Sequence, residues 1–170
     1  VALVELRARF DEQNNIDWSK QLEEAGCTIL YGFDDYKVHS KLTLITKKGP
    51  QGYSYITQIG TGNFNEKTAT LYADSGLFTC NPVIVNDLHN LFRTLQGKEN
   101  PVFHRLLVAR FNLIPELNRL INHEIELTRQ GKQGRIILKM NALQDPAMID
   151  RLYEASEHGV QIDLIVRGIC

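Results

Sequence analysis

The sequence predicts an α/β fold, in which strands alternate with helices along the chain. Short apolar runs of strand length recur from one end to the other, and amphipathic segments with helical spacing lie between several of them. Near the C-terminus a strand, a helix and a second strand follow one another closely. That order is typical of a right-handed parallel crossover.

Turn and capping residues divide the first half into elements. We expect an Asn side chain to cap the first helix and a glycine to end it, and Asn81-Pro82 to open another helix. Lys47–Gly52 is rich in turn-forming residues and predicts a turn between two strands. The predicted elements are a strand over 1–6, a helix from a cap at Asn14 or Asn15 to Gly26, strands over 27–31, 38–46 and 53–59, and a helix from Pro82 to Leu95.

The second half has the clearer pattern. Ile114–Arg129 carries apolar residues at helical spacing, and glycines follow it. Arg135–Met140 is a predicted strand. Asp145 is a natural N-cap with Pro at the next position, so Pro146–His158 is a predicted helix. Gln161–Val166 completes the unit as another strand.

A Gly- and Pro-containing stretch at 97–101 is the best candidate for a linker. We therefore expect one domain over 1–98, a linker over 99–102 and a second domain over 103–170. Both ends of the chain lie in apolar, strand-like runs, and Leu164–Arg167 faintly repeats the pattern of Leu3–Arg7. We expect the chain to be a fragment of a longer polypeptide, with the back part of one unit and the front part of a second.

Composition excludes several classes of protein. The chain is 43% hydrophobic and 23% charged with a net charge of −1, values typical of a globular protein and not of a broad nucleic-acid platform. Its cysteines, Cys27, Cys80 and Cys170, are widely spaced and predict neither a disulfide framework nor a zinc site. No long apolar run or signal peptide is visible, and we expect a cytoplasmic location.

The residues best suited to chemistry are His39 and Lys41. Two positions apart on an extended segment, they project to the same face, where imidazole and ammonium can act on one phosphate. The turn Gly60–Asn63 offers hydroxyl, amide and backbone donors for phosphoryl oxygens, with Thr61 and Asn63 as its side chains. A charged strand end beside a tight turn is the alternative for both.

Other candidates lie at strand ends or on loops. Arg7 and Arg9 follow the first strand, and Arg167 follows the last, where ligands bind in α/β sheets. Salt bridges to Asp11 or Glu12 are an equal alternative for the first two. Tyr72 either contacts a nucleotide or packs as a half-buried core residue.

The pattern H-x-K followed by G-[ST]-x-N resembles the half-site of the phospholipase D superfamily, although Thr46 stands where an acidic residue is common. The sequence outside this motif is also similar to bacterial polyphosphate kinase. The matching blocks run in order along the whole chain: 4–12, 37–41, 59–69, 71–74, 139–141 and 164–168. The fold class implied is a phospholipase D-like mixed sheet flanked by helices.

The resemblance implies roles for individual residues. His39 matches the phosphohistidine of the family, and Lys41 its invariant lysine. Tyr72 and Arg167 match residues that meet ATP, and Arg9 a position assigned to magnesium. A guanidinium has no lone pair, so we expect Arg9 to reach the metal through a phosphate.

The implied function is reversible transfer of the terminal phosphate of ATP to polyphosphate, with Mg²⁺ as cofactor and ATP, ADP and polyphosphate as partners. No nucleic acid or transmembrane segment is expected, and the full-length enzyme is expected to be a homo-oligomer in the bacterial cytoplasm or peripheral to the inner membrane. The isolated fragment should be almost inactive, because the family's second catalytic histidine lies outside it. The alternatives are a phospholipase D-type phosphodiesterase or nuclease, and a polyanion-binding module without catalysis.

Overall fold

A computed structural model describes residues 1–7, 12–97 and 101–170. The described chain forms two compact units, Val1–Leu106 and Leu107–Cys170. Both combine strands with helices, which confirms the predicted α/β class. No helix within the described ranges is long and apolar enough to cross a membrane.

The first unit contains two small sheets. Its elements are β1 Ala2–Val4, α1 Glu12–Glu24, β2 Ile29–Tyr31, β3 Lys41–Gly49, β4 Gly52–Gly60, α2 Glu66–Ala69, β5 Gly76–Thr79 and α3 Pro82–Leu95. β1 and β2 pair in parallel, whereas β3, β4 and β5 form an antiparallel sheet in that order. α3 packs on β3 and β4, with Leu88 fully buried.

The second unit is simpler. α4 spans Leu113–Arg129, β6 Arg135–Met140, α5 Pro146–Glu157 and β7 Gln161–Val166. β6 and β7 pair in parallel along their whole length, as the crossover pattern predicts. The buried core consists of Ile121, Ile125, Leu143, Leu152, Ala155 and Val160.

Several capping predictions are confirmed. Asn81 accepts hydrogen bonds from the N–H groups of Val83 and Ile84, and Asp145 accepts one from Met148 at 2.8 Å. Gly26 and Gly159 follow their helices with φ of +86° and +87°, the left-handed conformation in which glycine is least strained. These helix ends follow from local sequence.

Other boundaries in the first unit were predicted wrongly. α1 begins at Glu12, before the expected caps, because the Asn15 side chain donates to the Glu5 carbonyl at 2.9 Å instead of capping the helix. β3 begins at Lys41 and not at Val38, because the Val38 N–H donates to the Glu5 carboxylate and not to a neighbouring strand. The turn predicted over Lys47–Gly52 is shorter in the structure. β3 and β4 remain paired as far as Gly49 and Gly52, so only Pro50 and Gln51 lie between the strands.

The predicted linker at 99–102 remains a prediction, since residues 99 and 100 lie outside the described residues. The first compact unit extends to Leu106. Its last residues are held by Asp87 in α3, whose fully buried carboxylate accepts hydrogen bonds from the N–H groups of His104, Arg105 and Leu106 at 2.6–3.0 Å. That anchor explains why the unit continues beyond residue 102.

Candidate functional site

The antiparallel register brings three strand ends together. Lys41 at the start of β3 pairs with Gly60 at the end of β4, and Gly60 pairs with Gly76 at the start of β5. The residues just outside these ends therefore meet at one edge of the sheet. His39 lies before β3, the Thr61–Asn63 turn follows β4, and Asp74 precedes β5.

His39 and Lys41 are in direct contact. Lys41 Nζ lies 3.1 Å from His39 Nδ1 and 3.4 Å from Nε2, and it donates to the His39 carbonyl at 2.6 Å. An ammonium can only donate, so the ring nitrogen that faces it presents a lone pair. The structure thus brings the two predicted residues together, although His39 lies before the strand and not within it.

The electrostatic environment favours a neutral imidazole. Partial burial, followed by the charges of Lys41 and Lys37, lowers the pKa of His39. Burial also lowers the pKa of Lys41, and Lys37 lowers it further, whereas Asp74 opposes the change. A neutral imidazole beside a cation is the combination that attack on an anionic phosphate needs.

The turn after β4 is fixed by the segment before β5. Thr61 makes two hydrogen bonds with the backbone of Ser75: its N–H donates to the Ser75 carbonyl at 3.0 Å, and its side-chain Oγ1 accepts from the Ser75 N–H at 2.9 Å. The hydroxyl also lies 3.4 Å from Asp74 Oδ1. The Asp74 carboxylate lies against Gly62, so a side chain at position 62 would have to displace it.

Arg7 lies on a neighbouring segment and not in the His39–Lys41 contact. Its guanidinium faces Asp34, with NH2 at 3.9 Å from Oδ1 and NH1 donating to the carbonyl at 3.4 Å. Asp34 was not among the expected partners; of the two that were, Asp11 lies outside the described residues. Lys37 Nζ donates to the Arg7 carbonyl at 2.6 Å, which connects Arg7 to the segment that carries His39.

The remaining predicted residues have mixed placements. Tyr72 is 49% exposed on the loop before Asp74, so it is not a core residue. Asn63 is exposed in the turn that Thr61 begins. Arg167 belongs to the second unit, where it follows β7 and its Nε donates to Asn141 Oδ1 at 2.9 Å. Arg9 lies outside the described residues.

Two acidic residues at the site were missed from the sequence as site residues. Asp74 was not singled out because β5, which places it, is short and was not predicted as a strand. Glu5 lies in an apolar run that predicts a strand, yet its carboxylate accepts a hydrogen bond from the N–H of Val38, the residue before His39. A charged residue within a predicted buried strand is uncommon, and this feature of the sequence could have indicated that Glu5 has a specific partner.

The donor set does not form a metal cage. Among the residues that the structure describes, no group of three His, Cys, Asp or Glu side chains is arranged to hold a metal ion. Magnesium in nucleotide sites is held by the substrate phosphates with as few as one or two carboxylates. Asp74 offers a carboxylate at this edge of the sheet.

Comparisons with known proteins identify the family of the chain. The model of polyphosphate kinase C-terminal domain 1 matches residues 1–101, and that of C-terminal domain 2 matches residues 106–170. A polyphosphate kinase 1 from Chlorobaculum tepidum is 47% identical over 99% of this chain and 24% of its own length. A polyphosphate kinase from Synechocystis sp. is 49% identical over 99% of this chain and 23% of its own.

A solved structure is also similar. The crystal structure of polyphosphate kinase from Porphyromonas gingivalis superposes with a TM-score of 0.86 and 49% identity, covering 99% of this chain and 28% of that one. The chain spans about a quarter of the length of the curated relatives it matches. On the family models, the relatives and the fold together, the chain belongs to the polyphosphate kinase family.

Proposed function

We propose that the parent protein transfers the terminal phosphate of ATP to polyphosphate through a phosphohistidine at His39. The observation that carries the proposal is the 3.1 Å contact between Lys41 Nζ and His39 Nδ1 at the edge of the sheet. Membership of the polyphosphate kinase family supports the choice of substrates. The lowered pKa of His39 supports its role as the nucleophile, because only the neutral imidazole has a free lone pair.

In the first step a ring nitrogen of His39 uses its lone pair to form an N–P bond to the γ-phosphorus. The bond between that phosphorus and the bridging oxygen breaks, and ADP leaves with the electron pair. In the second step a terminal oxygen of polyphosphate attacks the same phosphorus and the N–P bond breaks. Each step is reversible, so ADP can recover the phosphoryl group from polyphosphate.

Lys41 moves from the imidazole to the phosphoryl oxygens as the phosphate arrives, since charge spreads over those oxygens in the transition state. Thr61 and Asn63, on the turn after β4, are the further proposed donors to the same phosphate. Magnesium bound to the nucleotide would neutralise the charge of the phosphates, and Arg9 is a proposed phosphate contact by its family position. Tyr72, Arg7 and Arg167 are the further proposed contacts to nucleotide or polyphosphate.

Labelling of the full-length parent protein with γ-labelled ATP tests the proposal. We expect acid-labile, base-stable label on the wild type and none on His39→Ala. His89→Ala is the matched control, because His89 is an exposed histidine of the same unit and should leave the label unchanged. A His39→Ala protein that takes label and makes polyphosphate would overturn the assignment. Cleavage of diesters without any label would favour a phosphodiesterase.

A further inference from the structure

We infer that Glu5 is a positioning residue that holds the backbone immediately before His39, an inference that rests on the proposed role of His39. Glu5 directly follows β1 and is half-buried. Its Oε2 accepts a hydrogen bond from the Val38 N–H at 3.1 Å, and its Oε1 accepts one from the Arg7 N–H at 3.1 Å. Val38 is far from Glu5 in sequence and directly precedes His39.

The geometry explains why a carboxylate stands there. Two backbone N–H groups converge on one side chain, and a carboxylate offers an acceptor oxygen to each. A carboxamide of the same shape has one acceptor oxygen, and its nitrogen would face a second donor. Glu5 is therefore matched to this pair of donors in both length and charge.

Surrounding contacts fix Glu5 itself. Its carbonyl accepts from Asn15 Nδ2 at 2.9 Å, which ties it to α1. Gly32 lies against the carboxylate: a Cβ there would stand 3.3 Å from Oε1, and the residue has a φ of +23°. Lys37 Nζ donates a second hydrogen bond between the same two segments, to the Arg7 carbonyl.

These contacts leave His39 between two anchored points. On one side the Val38 N–H is held by Glu5, and on the other Lys41 enters the β3–β4 ladder opposite Gly60. Only His39 and Ser40 lie between them. A displacement of about 1 Å at a reacting group can slow a reaction by about a hundredfold, so the anchor at Val38 matters for the attack of the imidazole on phosphorus.

The test compares full-length variants in single-turnover phosphorylation by γ-labelled ATP. Glu5→Gln keeps the shape of the side chain but loses one acceptor. We expect formation of phospho-His39 to slow by about tenfold at saturating ATP, with the apparent affinity for ATP within about twofold of wild type. Hydrogen exchange at the Val38 amide should quicken in the same variant, because its acceptor is weakened.

Glu24→Gln is the matched control, since Glu24 is an exposed carboxylate at the end of α1 in the same unit. It should phosphorylate at the wild-type rate. Circular dichroism establishes that each variant is folded, and if Glu5→Gln does not fold, Glu5→Asp, which keeps the charge but is one methylene shorter, is measured against the same expectations.

A folded Glu5 variant that phosphorylates at the wild-type rate, or one whose entire defect lies in ATP affinity, would overturn the inference. The failure of the proposed function looks different. A wild-type protein that takes no label on His39 would overturn the phosphohistidine and the inference together, whereas label on wild type and on Glu5→Gln at equal rates would overturn the inference alone.

Discussion

The two units are stabilised by different kinds of contact. The second unit has an apolar core in which Leu152 and Ala155 of α5 pack with Ile121 and Ile125 of α4. In the first unit, three of the largest fully buried side chains are polar: Thr57, Asp87 and Ser19. Its candidate site is likewise placed by polar contacts between residues far apart in sequence, such as Glu5 with Val38.

Apolar and polar contacts have different roles in these units. Apolar side chains at helical or alternating spacing build a core that needs little beyond local pattern. Polar groups must each find a partner when they are buried, so a long-range polar contact fixes one segment against another in a defined position. The unit with the proposed catalytic residues contains such a buried contact at Asp87 and a half-buried one at Glu5.

Lys41→Met in the full-length protein gives the largest expected effect within the first unit. Removing the proposed phosphate cation should slow formation of phospho-His39 by about 10²–10³-fold, the usual cost of losing a transition-state charge partner. Lys48→Met is the control from the same hairpin, because Lys48 is exposed and pairs with Tyr53 far from the site. Equal rates for the two variants would show that the sheet edge is not the site.

Asp87→Ala probes the long-range polar contacts directly. The change leaves the N–H groups of residues 104–106 without their acceptor and should lower the free energy of unfolding by about 3 kcal/mol. Urea unfolding followed by Trp18 fluorescence measures this, since Trp18 is the sole tryptophan and lies in the first unit.

Asp145→Asn supplies the contrast from the second unit. Asp145 is an exposed N-cap, and Asn caps helices equally well. The free energy of unfolding of the Asp145→Asn variant should therefore differ from that of the wild type by no more than a few tenths of a kcal/mol. A loss for Asp87→Ala as small as that for Asp145→Asn would contradict the difference drawn between the units.

The pH dependence of phosphorylation is a smaller and more specific effect. The neutral imidazole is the reactive form, so the rate should rise with pH through the pKa of His39. Burial and then Lys41 lower that pKa, which places the rise below the usual range of histidine. In Lys41→Met the midpoint of the rate against pH should move to higher pH, because the charge of Lys41 no longer lowers the pKa of His39. Burial should still lower that pKa in the variant. A midpoint that moves to lower pH would contradict the assigned cause.

Thr57→Val is expected to have a small effect of the opposite sign to that of Asp87→Ala. Thr57 is fully buried, and its Oγ1 has no hydrogen-bond partner in the part of the chain that the structure describes. Replacing an unpaired hydroxyl by a methyl group removes a desolvation cost, so the free energy of unfolding should stay equal or rise by about 1 kcal/mol. Trp18 fluorescence in urea measures it, and a clear loss would reveal a partner for the hydroxyl.

Sequence pattern predicted the second unit closely and the first less well. β6 and β7 have the expected bounds, because their alternation and the Asp145 cap are local signals. β3 starts later than expected because Glu5 takes the Val38 N–H, a contact that local pattern does not contain. α2 and β5 were not predicted, since both are short and depend on their neighbours.

The candidate site follows the same division. His39 and Lys41 are close in sequence, and their contact was predictable from spacing. The approach of Asp74 to Thr61 depends on the register of β4 with β5, which spacing along the chain cannot supply. Glu5 was hidden for the same reason, because its partner lies on a distant loop.

The most direct test of the central claim is the rate at which phospho-His39 forms. The rate is measured by rapid quench on the full-length protein, with the phosphate located on the peptide that carries His39. It is then compared with the steady-state rate of polyphosphate synthesis. We predict that His39 is phosphorylated at least as fast as polyphosphate is made, and that added ADP removes the label as ATP. Phosphorylation slower than overall turnover would contradict the account, because His39 could then not lie on the pathway.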